Sequence, residues 1–157
     1  MTGANFLLEI DGQKILVDCG LTQGMKLADD VNWDSFVYDP REIDILFVTH
    51  AHVDHLGRIP KLINEGFRGK IFSTLPTKGL ALPMLEDTMS ILSKNTDLGL
   101  EKIYTEENIK LTLSLWQGFE YHTFKCFLMA KLELATLKIT PKKICKSIIS
   151  QALLRND

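Results

Sequence analysis

The chain has 157 residues, a hydrophobic fraction of 45% and a net charge of −2. That is enough length and apolar content for one domain with a core, and the near-neutral balance carries no general signature of a nucleic-acid binder. Cys19, Cys126 and Cys145 are odd in number and widely spaced, which argues against a disulfide framework and makes a reducing cytoplasm the expected setting. No signal-peptide pattern opens the chain and no run of about 18 apolar residues occurs in it, so secretion and membrane spanning are not expected.

In chain order, residues 5–10 and 14–18 flank Asp11-Gly12, a hairpin signal. Residues 21–41 read as an irregular, acid-containing loop, expected to be solvated rather than to reach a metal. Residues 43–48 are mostly β-branched or large and apolar, which suits a buried parallel strand. Leu56, Ile59, Leu62 and Ile63 then fall at helical spacing, and Gly66 is placed to end that helix. Residues 70–73 form a short strand. Residues 77–93 form a helix with Leu80, Met84, Leu85, Met89 and Leu92 as its core stripe, and Pro83 kinks it or marks its start. Thr105 caps a further helix with Ile109, Leu113 and Trp116 facing inward. Residues 128–139 read as strand or helix, and Thr140-Pro141 opens a last amphipathic helix.

Between the buried strand and the helix that follows stands Thr49-His50-Ala51-His52-Val53-Asp54-His55, which holds three of the four histidines of the chain. Neutral imidazoles are good zinc ligands and a carboxylate completes such a set. A loop leaving a buried strand end is also where open α/β sheets place their chemistry. His50, His52, Asp54 and His55 are the candidate metal ligands, two for one metal and two for a second. Asp18, in Leu16-Val17-Asp18-Cys19-Gly20, either caps a turn or braces the histidine loop from behind. Arg58 and Lys61 either meet phosphate or are ordinary surface charges.

The histidine string resembles that of the metallo-β-lactamase fold superfamily of dinuclear zinc hydrolases. The flanks Gly3-Ala4-Asn5-Phe6-Leu7-Leu8-Glu9-Ile10, His55-Leu56-Gly57-Arg58-Ile59-Pro60-Lys61-Leu62 and Gly66-Phe67-Arg68-Gly69-Lys70-Ile71 are similar to the β-CASP group of RNA-processing nucleases, over residues 2–124. The resemblance implies an α/β (α+β) fold, the N-terminal half of an αββα sandwich with a mixed sheet and flanking helices. It implies that His50 and His52 serve one zinc and Asp54 and His55 the other. It further implies that Asp54 helps orient the attacking hydroxide, that Asp18 braces the loop, and that the substrate is an RNA phosphodiester.

The family takes further ligands from downstream, yet after His55 the sequence has one histidine, His122, and it has no aspartate between Asp97 and Asp157. Residues 125–157 lack glycine and carry a net charge of +5. They read as a basic, helical tail outside the family pattern, with an RNA-contacting tail as the other reading. The expectation is therefore residues 1–124 as the N-terminal part of the family domain, with its very start clipped. One zinc or fewer is expected here against two in an intact relative, in either a truncated, inactive product or one half of a split enzyme completed by another chain. Half a sandwich is also expected to leave one apolar sheet face uncovered and the chain marginally stable.

Overall fold

The computed structural model describes residues 3–10, 12–22, 32–92 and 104–123. The expectations for residues 125–157, including the strand-or-helix segment and the last helix, lie outside the described residues.

Five strands form one mixed sheet in the order β1 (Phe6–Ile10), β2 (Gln13–Val17), β3 (Ile45–Phe47), β4 (Lys70–Thr74) and β5 (Trp116–Phe119). β1 and β2 are antiparallel and pair Phe6 with Val17 through Ile10 with Gln13. Gly12 turns the chain between them with a φ of +79°, a conformation open to glycine at little cost. The pairs β2–β3, β3–β4 and β4–β5 are parallel, so the chain must cross over between them.

The crossovers contain α1 (Val53–Leu56), α2 (Ile59–Asn64), α3 (Leu75–Leu92) and α4 (Glu106–Leu115), with a 3₁₀ turn at Pro40–Glu42 before β3. Gly66, at a φ of +107°, ends α2, with its N–H and that of Phe67 donating to Ile63 and Leu62 carbonyls. The Thr105 side chain caps α4 by accepting from Asn108 N–H at 3.1 Å. The helices pack on one face of the sheet, where Leu16, Leu46, Val48 and Ile71 meet Leu56, Ile59, Leu62, Ile63, Leu85, Ile109 and Trp116. Period-2 alternation sends Ile15, Ile45, Phe47 and Phe72 to the opposite face.

Four details differ from the sequence reading. The helix expected at 77–93 begins at Leu75, and Pro83 lies inside it. Its fully buried row is Thr77, Ala81, Leu85 and Thr88; Met84, Met89 and Leu92 of the expected stripe pack against the core beside it, while Leu80, 56% exposed, turns away. Trp116 does not close α4 but opens β5, a strand the sequence did not announce, and its indole donates to Ser73 Oγ at 2.8 Å on the neighbouring strand. The second apolar face is not bare: Ile15 and Phe47 are 1% and 2% exposed.

Candidate metal centre

Parallel β3 carries the chain into the core and releases it at Val48, whose N–H still donates to Phe72 O at 2.9 Å. Thr49 and His50 follow at the strand's C-terminal edge, and α1 begins one turn later, with His55 and Leu56 N–H both donating to His52 O. The turn is pinned from outside by neighbouring backbone. Ala4 N–H donates to Asp54 O at 2.8 Å, Cys19 N–H to His55 O at 2.7 Å and Leu21 N–H to Val53 O at 3.0 Å. Three successive carbonyls of the ligand turn are thereby satisfied by other segments. Gly20 makes this approach possible, since a Cβ there would lie 1.7 Å from Asp54 O.

The four candidate ligands are brought together as two pairs. His50 Nε2 faces His52 Nδ1 at 3.1 Å, and His55 Nε2 faces Asp54 Oδ2 at 3.7 Å. The rings of His50 and His55 lie 3.8 Å apart between centroids and link the pairs. Zinc–nitrogen bonds of about 2.0 Å in a tetrahedron put two ligand nitrogens about 3.3 Å apart, so the His50–His52 spacing fits one edge of such a site. Among the described residues, no three His, Cys, Asp or Glu side chains converge on one metal position. What the loop offers is two pairs of potential donor side chains.

Asp18 sits behind them, 3% exposed at its side chain. It follows β2 with a φ of +61°, a left-handed conformation that aspartate visits more readily than most residues. Its carboxylate accepts from Thr49 N–H at 2.8 Å, lies 2.9 and 3.1 Å from Thr49 Oγ1, and meets His55 Nδ1 at 2.8 Å. Of the two sequence readings of Asp18, the contacts favour a brace on the loop. Burial, then the like charges of His55 and His52, push His50 down from an ordinary 6.5 to about 4, which keeps its ring neutral, as a metal ligand must be.

Arg58 and Lys61 are neither surface charges nor placed to meet a substrate: they are 9% and 1% exposed. Arg58 Nε donates to Gly20 O at 2.8 Å, Lys61 Nζ donates to Asp34 O at 2.7 Å and pairs with Glu65, and both cations lie over the Phe36 ring. They tie the segments around residues 20 and 34–36 to α2, directly behind the ligand turn. The i, i+4 spacing of Lys61 and Glu65 was the available sequence signal; burial of the pair was not. Tyr104, fully buried, donates its hydroxyl to Gly57 O between α1 and α2. Cys19 is a free, buried thiol pushed up to about 12 by burial, which makes it inert rather than nucleophilic. His122 is exposed and takes no place in the cluster.

Residues 2–68 match the family model of the metallo-beta-lactamase superfamily. The chain is 36% identical over 121 residues to Ribonuclease TTHA0252 of Thermus thermophilus, covering 77% of this chain and 26% of that protein. It is 32% identical over 117 residues to Cleavage and polyadenylation specificity factor 73 of Drosophila melanogaster, covering 74% of this chain and 16% of that one. The chain belongs to the metallo-β-lactamase superfamily, in its β-CASP group. A third relative, Transcription termination factor FttA of Methanosarcina mazei, is 35% identical over 94 residues, 57% of this chain and 14% of that protein. The chain thus spans about a quarter or less of the length of these superfamily members. Membership implies metal ions, and among the described residues the paired side chains at the end of β3 have the donor chemistry for them.

Proposed function

We propose that this chain is the ligand-loop portion of a zinc-dependent ribonuclease that hydrolyses RNA phosphodiesters. The observation carrying the proposal is the two donor pairs, His50–His52 and Asp54–His55, held at the C-terminal end of a buried strand in a chain similar to a ribonuclease and to a cleavage and polyadenylation factor. When bound, zinc supplies water activated near neutral pH and a Lewis acid toward phosphoryl oxygen. The chain's own residues supply the rest. His50 and His52 present ring nitrogens, Asp54 places a carboxylate beside His55 to bind and to orient the attacking water, and Asp18 holds His55 from behind. Residues 1–124 form the domain in this reading, and the reduced Cys19 thiol suits a cytoplasmic setting.

The described residues give two ligands per metal, against three protein ligands in a usual catalytic zinc site. That count favours a second reading for the chain by itself: it holds zinc weakly, is inactive on RNA alone, and works only when a complementing chain brings the missing ligands.

Metal analysis of the purified chain after dialysis against zinc tests both readings. The expected result is fewer than two tightly held zincs, all lost in His52→Ala. Two tight zincs would overturn the half-site reading, and unchanged zinc in His52→Ala would remove the loop from the site.

A further inference from the structure

We infer that Thr49 is a positioning residue that relays the charge of Asp18 to His50, so that one buried carboxylate sets the ring tautomer of two histidines. The inference rests on the metal reading above and deepens it. Thr49 Oγ1 lies 2.9 and 3.1 Å from the two Asp18 oxygens, 3.0 Å from His50 Nδ1 and 3.4 Å from His55 Nδ1. A hydroxyl has one proton to give and lone pairs to receive with. The charged acceptor forms the stronger bond, and Thr49 N–H already fixes that carboxylate at 2.8 Å, so the hydroxyl proton goes to Asp18. What then faces His50 is an oxygen lone pair, and a 3.0 Å contact to it requires a proton on Nδ1.

A neutral ring protonated at Nδ1 keeps its lone pair on Nε2, the atom that faces His52 Nδ1 at 3.1 Å. Asp18 does the same for His55 directly, at 2.8 Å from Nδ1, which leaves Nε2 of that ring facing Asp54. His55 has Asp18 closer than Thr49, so the hydroxyl serves His50. The two histidines belong to different donor pairs, and the single acid behind them prepares one nitrogen in each. Thr49 suits the task, because a β-branched side chain at a strand end has few rotamers to lose.

The test compares wild type with Thr49→Val, which keeps the shape and loses the hydroxyl, and Thr49→Ser, which keeps the hydroxyl. In metal-free, ¹⁵N-histidine-labelled protein above the histidine titration range, two-bond ¹H–¹⁵N correlations report which nitrogen of His50 carries the proton. Wild type and Thr49→Ser are expected to hold it on Nδ1, and Thr49→Val to shift it to Nε2 or to a mixture. In zinc competition, Thr49→Val is expected to bind about 10–100-fold more weakly and Thr49→Ser within about threefold of wild type. A wild-type His50 protonated on Nε2 overturns the inference even if no variant folds, and so does a folded Thr49→Val with an unchanged tautomer and affinity. If wild type takes up no zinc, the metal reading fails, while the tautomer comparison still decides the role of Thr49.

Discussion

The two ends of the parallel strands carry the same kinds of residue and use them differently. Where β2 and β3 begin, Lys14 pairs with Glu42 and Glu9, Arg41 pairs with Asp39, and Lys14 N–H donates to Asp44. These groups are in water, where an ion pair gains little over its separately hydrated partners. Where the same strands end, Asp18, Thr49, His50 and His55 share one hydrogen-bonded cluster, backed by Arg58 and Lys61 under the surface. An acid and a base out of water must be placed correctly or they cost several kcal/mol. Charge content does not distinguish the two ends of these strands; the depth at which charge is held does.

The largest effect is expected at Gly20, where neighbouring backbone leaves no room for a side chain. A methyl group there runs into Asp54 O, so Gly20→Ala is expected to push the ligand turn outward, to cost about 3 kcal/mol or more and to remove zinc binding. Urea denaturation checks it, and a cost under about 0.5 kcal/mol would mean that the turn is not pinned as described. Next in size, Lys61→Met keeps the apolar stem but leaves Asp34 O and Glu65 without their cation, for about 2 kcal/mol. Its counterpart at the other end, Lys14→Met, is expected to leave the denaturation midpoint where it was. Equal losses from the two lysines would erase the contrast between the ends.

The smallest effect is one of pH. The pKa of His50 is lowered from about 6.5 to about 4 on folding, so between those values the unfolded chain binds more protons than the folded one. Its contribution to stability is fully present above about pH 6.5 and is lost progressively as pH falls toward 4. Midpoints of the metal-free chain measured with a chelator should therefore fall from about pH 7.5 to about pH 5, with a shallower slope in His50→Gln. An unchanged slope in that variant would show that the ring is not held out of water.

Which atoms could bind a metal was legible in the residues alone, because ligand chemistry resides in residue type and His50, His52, Asp54 and His55 fall within a stretch of six residues. Most elements were legible too, since the turn at Asp11-Gly12, the apolar run before Thr49 and the cap at Thr105 are local properties. What stands behind that string emerged only from the folded chain. That Ala4, Cys19 and Leu21 satisfy its carbonyls, that Arg58 and Lys61 are under the surface rather than on it, that Thr77 and Ala81 rather than Leu80 face the core, and that Trp116 starts a strand all depend on partners far away in the chain. Burial is a relation between segments brought together by folding, and no short window of sequence contains both sides of it.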